Sequence, residues 1–206
     1  MTKKKTIDPE QWRGDYYELE MQYDSSDEEV INAALKTMAK HMSLVYKDNY
    51  VEKRQPVQLP IQINKEQTYS FIGKLTYSKT ITLNSLVEVI LDGETASVIV
   101  SIPLCEIEEY FSIDYPLTIK QNQWLKRMHE MFIELSVIIY GQSKFQLAMI
   151  GDEVSGYTRI DEIKGSDLHN EEIIFILPVD LQLKLNVEHI GVEYPHQLRM
   201  YEDIME

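Results

Sequence analysis

Residues 16–42 read YYELEMQYDSSDEEVINAALKTMAKHM, and this stretch decides the fold because it predicts a strand, a turn and a helix in succession. Its first part alternates polar residues with the apolar or aromatic residues Tyr17, Leu19, Met21 and Tyr23. A period of two places the two kinds of side chain on opposite faces of a strand. We therefore expect a half-buried strand with one wet face, which is typical of an antiparallel sheet.

The second part of the stretch predicts an amphipathic helix over about residues 26–43. Ser26 and Glu29 have the spacing of a capping box, in which each side chain accepts from the backbone amide of the other residue. Acidic residues in the first turn suit the positive end of the helix dipole. Apolar residues then recur at helical spacing, namely Ile31, Leu35, Met38 and Met42.

A second long helix is predicted over residues 122–140, with Gly141 at the position where a helix commonly stops. Its apolar face is broad and includes Leu125, Met128, Phe132, Leu135 and Ile139. Between the two helices, Asp92–Gly93 separates two runs rich in Val and Ile. Asp-Gly in this setting is a strong hairpin signal, because the tight turn requires positive φ.

Further strands are predicted from alternating or continuous apolar runs at residues 61–63, 69–77, 145–150, 173–177 and 179–187. The tail (189–206) instead carries a weak helical stripe. Strands on both sides of the second helix indicate an α+β fold, in which a mostly antiparallel sheet packs with two long amphipathic helices. We expect a single α+β domain over residues 16–206 and a loosely ordered leader over residues 1–15.

Charge and composition exclude several classes of function. The chain has 206 residues and a net charge of −14. The negative charge is concentrated after residue 103, where 19 of the 34 acidic residues but only 8 of the 20 basic residues lie. Such a balance argues against nucleic acid and against anionic membrane surfaces as partners. No apolar run reaches the roughly 18 residues of a membrane span, and no apolar segment follows the basic start. With Cys105 as its one cysteine, we expect a cytoplasmic protein without internal disulfides.

No residue pattern predicts catalysis, a metal or a cofactor. His129–Glu130 has the start of a zinc-protease pattern, but position 133 is Ile where the second histidine should be. His129 is expected to be partly exposed beside the core face of the second helix. Cys105 is expected to be a buried, inert thiol. A metal site assembled from distant histidines is left open by the sequence.

The acidic loop at residues 151–165 is the segment with the most functional character, because it combines glycines, carboxylates and a hydroxyl directly after a strand. We predict that Asp152, Glu153, Asp161 and Glu162 form a partner-facing acidic edge. The alternative is a plain turn whose glycines supply positive φ.

These patterns favour a non-enzymatic, acidic protein-interaction module of the immunity or inhibitor type that binds a basic protein partner. Electrostatic steering would then make binding sensitive to salt. Two alternatives remain from the sequence. One is an enzyme whose pocket is assembled from scattered residues, and the other is a structural homo-oligomer subunit that associates through Tyr16, Tyr46 and Tyr50.

Overall fold

A computed structural model describes residues 12, 14–46, 56–64 and 67–202. Within these ranges, nine antiparallel strands form one sheet. They are β1 (Tyr16–Tyr23), β2 (Ser43–Tyr46), β3 (Tyr69–Thr76), β4 (Thr82–Asp92), β5 (Thr95–Pro103), β6 (Leu147–Asp152), β7 (Ile173–Leu177), β8 (Val192–Tyr194) and β9 (Leu198–Tyr201). Their spatial order is β2-β3-β4-β5-β1-β6-β7-β9-β8.

Four α-helices accompany the sheet in the described part of the chain: α1 (Glu28–His41), α2 (Leu104–Glu108), α3 (Trp124–Tyr140) and α4 (Val179–Leu185). The predicted α+β class and the two long helices are confirmed, with each helix beginning two residues later than expected. None of the helices among these residues is long and apolar enough to cross a membrane.

Strand β1 lies at the centre of the sheet, between β5 and β6. Leu19 faces Val100 of β5 and Ile150 of β6 across the ladders. We call the side of the sheet that carries Tyr17, Leu19, Met21 and Tyr23 the front face. Helices α1 and α3 pack on this face, and their apolar residues form one core with it. Directly opposed residues in an antiparallel ladder share a face, so the same alternation extends across the neighbouring strands.

The predicted hairpin is confirmed. Strands β4 and β5 pair from Leu86–Ser101 to Asp92–Thr95, and Gly93 between them has φ +62°. Glycine adopts this left-handed conformation without the steric cost that a Cβ brings.

The other side of the sheet, which we call the back face, carries the polar residues of β1. A second core covers its β6, β7 and β9 portion, where α4 and the segment 153–170 pack on residues such as Met149 and Phe175. The predicted wet face of β1 is wrong, because Glu18, Glu20 and Gln22 are only 4–7 % exposed. The acidic segment after β6 folds back over them.

Two predictions for the C-terminal third are wrong. Residues 179–185 form α4 instead of a strand, with Pro178 at the N-cap and Asn186 in the left-handed conformation at the C-cap. Leu181 packs in the second core while Leu183 is 58 % exposed, so the alternation does not mark one buried face. The helical stripe expected in the tail is instead two short strands, β8 and β9, and Ile204 lies outside the described residues.

Two local predictions near α1 are also wrong. Asp27 is the N-cap without a side-chain hydrogen bond, and the hydroxyl of Ser26 donates to Gly93 O, so no capping box forms. The expected strand at 61–63 is irregular. The side chain of Asn32 in α1 holds this segment in place. It accepts a hydrogen bond from the amide of Ile61 and donates one to the carbonyl of the same residue, both at 2.8 Å.

Gly141 terminates α3 as expected, but with an αR φ of −60° in place of a left-handed one. Most of the predicted leader (1–15) and residue 50 lie outside the described residues.

Candidate functional site

The polar row on the back face of β1 holds the acidic loop in place. Glu18 accepts from one loop amide at 3.0 Å, Glu20 from the next at 3.4 Å, and Gln22 donates to a loop carbonyl at 2.7 Å. The loop atoms are the amides of Ser155 and Gly156 and the carbonyl of Thr158. Three buried side chains therefore hold residues 155–158 of this loop against the back face of β1.

The four predicted partner-binding residues separate into two groups. Asp152 is the last residue of β6 and faces Tyr17 on the front side, and Glu153 follows it with φ +46°. Asp161 and Glu162 line a groove on the back face. The loop thus places one pair at each side of the sheet.

The first pair belongs to a group that we call the acidic corner: Asp15, Glu108, Asp152, Glu153 and Glu172, with Tyr115 among them. The start of β1, the end of β6 and the start of β7 meet here. Tyr115 comes from the loop between α2 and α3 and is 61 % exposed. Desolvation, followed by the charges of the surrounding carboxylates, raises its pKa.

Asp152 is the one carboxylate of the acidic corner that is not exposed. Burial, and then the charges of Asp15, Glu153 and Glu172, raise its pKa to about 6. Its Oδ1 atom is buried and has no hydrogen-bond partner among the described residues. None of the ion pairs in the described part of the chain includes it. At neutral pH this carboxylate is mostly ionised, and no cation among the described residues forms an ion pair with it.

Asn122, just before α3, positions the loop that carries Tyr115. Its Oδ1 atom accepts from the amide of Asp114 at 2.9 Å, and its Nδ2 atom donates to the carbonyl of Asp114 at 2.6 Å. The side chain of Asn122 is 1 % exposed, whereas Asp114 is exposed, so these bonds are partly buried.

Asn122→Ala is expected to lower the free energy of unfolding by about 2 kcal/mol, because the backbone amide and carbonyl of Asp114 lose their partly buried hydrogen bonds to its side chain. Urea denaturation measures this change. Gln123→Ala, at an exposed neighbouring position, is the control and should change stability by less than about 0.5 kcal/mol. Equal effects of the two substitutions would contradict the role of Asn122.

The groove on the back face has a volume of about 490 Å³. Glu20 lies in it beneath the loop, and apolar atoms of Ile90, Ile99 and Ile160 contribute to its wall. Ile90 is 39 % exposed, which is unusual for an isoleucine in the interior of a sheet. The groove is therefore an accessible cleft with a buried carboxylate in its lining.

Arg159 occupies the rim of this groove. Its guanidinium is 2.8 Å from a carboxylate oxygen of Asp92 and 3.9 Å from one of Asp161. The hydrogen bond to Asp92 is the main reason for its raised pKa. Asp161 is thus partly neutralised within the chain, whereas Glu162 has no ion pair among the described residues.

A third polar group links α3 to the front face, and the sequence does not reveal it. The hydroxyl of Tyr17 lies 2.6 Å from His129 Nε2, and His129 Nδ1 lies 3.1 Å from a carboxylate oxygen of Glu202. Burial, then the charge of Glu202, raises the pKa of Tyr17 well above its usual range. The tyrosine hydroxyl is therefore neutral and shares one hydrogen bond with Nε2, whose direction depends on the tautomer of His129.

The Tyr17–His129–Glu202 group has limited chemical capability in this arrangement. His129 borders a cavity of about 430 Å³, but both of its ring nitrogens are engaged. Tyr17 is 2 % exposed, so its hydroxyl is not accessible as a nucleophile. The group ties the end of β9 to the centre of the molecule. Among the described residues, no cluster of three or more His, Cys, Asp or Glu side chains is placed to hold a metal ion.

Sequence reasoning identified Asp152 and Glu153 but missed their neighbours in the acidic corner. Asp15, Glu108, Tyr115 and Glu172 are distant in sequence and have no shared motif. A positional signal was available for two of them, because Asp15 and Glu172 each directly precede a predicted strand. Using it requires the strand order, which local patterns do not supply.

Comparisons with known proteins give little further information. No family model matches the chain, and no curated protein matches it. A solved structure, Pseudomonas aeruginosa T6SS protein PA0821, is similar with a TM-score of 0.33 and 9 % sequence identity. The match covers 67 % of this chain and 40 % of that one. A likeness at this level carries no argument about fold or function.

Proposed function

We propose that this chain is a non-enzymatic interaction module of the immunity or inhibitor type, which binds a basic protein partner through the acidic corner. The observation that supports this proposal is the state of Asp152. It is a partly buried carboxylate among like charges, with an unpaired oxygen and no cation among the described residues.

A cationic side chain of a partner would offset the repulsion between Asp152 and the neighbouring carboxylates. A lysine or arginine placed between Asp152 and its neighbours supplies the missing counter-charge and hydrogen-bond donors. Tyr115 adds an exposed aromatic surface at the same place, and aromatic residues surrounded by polar ones are typical of binding hot spots. The wider negative charge of −14 favours encounter with a basic protein.

The test compares two triple variants that change the net charge equally. Asp152→Asn, Glu153→Gln and Glu172→Gln neutralise the acidic corner, and the exposed Glu29→Gln, Asp180→Asn and Glu188→Gln serve as the matched control. A partner captured from host lysate at low salt is identified, purified and titrated against each variant by calorimetry. We expect the corner variant to bind about 30-fold more weakly, corresponding to roughly 2 kcal/mol.

Two results would overturn the proposal. One is an equal affinity of the two triple variants for the partner. The other is an affinity of the native chain that does not change between about 50 and 500 mM salt, because attraction between exposed charges is screened over that range. The pair Asp161→Asn and Glu162→Gln, measured in parallel, determines whether the second half of the predicted acidic edge contributes.

Asp152→Asn is expected to stabilise the unbound protein at pH 8 but not at pH 4. A carboxyl whose pKa is higher in the folded state retains its proton there, so stability falls as pH rises from about 4 to about 6. Asparagine resembles the protonated form and avoids this loss, which is about 1 kcal/mol once solvent screening is allowed for. Urea denaturation at both pH values measures it.

Glu188→Gln, which removes one exposed charge elsewhere, is the control for general charge repulsion. An Asp152→Asn variant that is no more stable than this control at pH 8 would show that Asp152 has sufficient partners. The central observation behind the proposed function would then be lost.

A further inference from the structure

The carboxylate of Glu20 lines the back-face groove. Its side chain is 4 % exposed and accepts hydrogen bonds from Ser97 Oγ at 2.7 Å and from the amide of Gly156 at 3.4 Å. No lysine or arginine in the described part of the chain forms an ion pair with it. Burying a carboxylate is unfavourable unless hydrogen bonds or a cation compensate for the lost water, and burial raises the pKa of Glu20 despite its hydrogen bonds.

The surroundings of Glu20 match a long cationic side chain. Ile90, Ile99 and Ile160 offer apolar surface against which a methylene stem can pack. Glu162 stands at the rim without an ion pair among the described residues. Of the described residues that line the groove, four are carboxylates, and the guanidinium of Arg159 is already bound to Asp92 at 2.8 Å.

We propose that this groove binds an arginine side chain of a protein partner, with the guanidinium directed to Glu20 and the stem against the isoleucines. Arginine fits better than lysine because its planar guanidinium is weakly hydrated and donates to a carboxylate in a bidentate manner. The volume of about 490 Å³ lies within the range of small-ligand sites.

This site is separate from the acidic corner. Asp152 faces the front of the sheet and Glu20 the back, although the loop that covers Glu20 begins directly after Asp152. The partner chemistry rests on the proposed function, whereas the arginine site itself can be tested with a small probe in the absence of any protein partner.

The probe is the peptide acetyl-Gly-Arg-Gly-amide, and its control contains citrulline, which has the shape of arginine without the charge. Both are titrated into ¹⁵N-labelled full-length chain at pH 7.5. We expect saturable shifts of the Ser97 and Gly156 amides with the arginine peptide, and at least tenfold weaker binding of the citrulline peptide. Glu20→Gln is expected to weaken the arginine peptide at least tenfold.

Further variants separate the possible outcomes. The acidic-corner triple variant should retain the groove shifts in full. If Glu20→Gln perturbs the fold, Asp161→Asn with Glu162→Gln replaces it, because both residues are exposed, and we expect at least a threefold loss. Equal binding of the two peptides would overturn the arginine site, as would shifts confined to Tyr115 and Asp152.

Failure of this proposal is distinguishable from failure of the proposed function. If the Ser97 and Gly156 amides do not shift but the protein partner binds the corner variant more weakly, only the arginine site is contradicted. If these amides shift but the partner binds the native chain and the corner variant equally well, only the proposed function is contradicted.

Discussion

Replacing Phe132 with alanine is expected to lower the free energy of unfolding by about 4 kcal/mol. This side chain of α3 is fully buried, and its ring lies parallel to that of Tyr17 with centroids 6.2 Å apart. Alanine leaves a cavity between the helix and the central strand, which the rigid sheet fills poorly. Urea or guanidinium denaturation monitored by circular dichroism measures the change.

Ile138→Ala is the control on the same helix. Ile138 is 40 % exposed, so its truncation removes little buried surface and should cost about 0.5 kcal/mol. If the two substitutions were equally mild, α3 would not pack on β1 as described.

Gly151→Ala is expected to cost about 3 kcal/mol and to displace the acidic loop. A Cβ at this position would lie 2.8 Å from the carbonyl oxygen of Glu172 and 2.8 Å from a methyl carbon of Val154. The carbonyl is backbone and adjoins the paired strand β7, so the overlap forces strain or movement. Denaturation measures the cost, and amide shifts of residues 153–158 report the displacement.

Gly156→Ala is the matched control in the same loop. Its φ of +81° disfavours alanine, but a Cβ there meets no atom within 4 Å. The expected cost is about 1 kcal/mol, from conformation alone. If Gly156→Ala changed the amide shifts of residues 153–158 as much as Gly151→Ala does, the overlap at Gly151 would not be the cause of the displacement.

The fold class follows from local pattern because the strongest elements combine agreeing signals. Strand β1, helix α3 and the Asp92–Gly93 hairpin each have a clear period or turn residue, and the structure contains all three. Residues 179–185 show where pattern fails. Alternating leucines are compatible with a strand, yet Pro178 and the partly exposed position of the segment favour a short helix.

The burial of β1's polar row illustrates a different limit. Alternation correctly assigns Glu18, Glu20 and Gln22 to one face, but it does not reveal that a loop more than 130 residues later in the chain covers that face. Long-range contacts of this kind have no local signature.

The candidate site is less predictable than the fold for the same reason. The sequence indicates that the segment 151–165 is acidic and follows a strand, which led to Asp152, Glu153, Asp161 and Glu162. Whether they act together depends on which side of the sheet each faces. The structure divides them into two pairs, and it adds neighbours that only strand order brings close.

The central position of β1 has a consequence for biosynthesis. This strand emerges from the ribosome before its partners β5 and β6, which begin only at Thr95 and Leu147. At roughly 5–20 residues per second, several seconds pass before β5 is available, and both backbone edges of β1 are unpaired during that time. Nascent chains that stop before β6 should therefore be retained by chaperones, and release into the native state should require translation past Asp152.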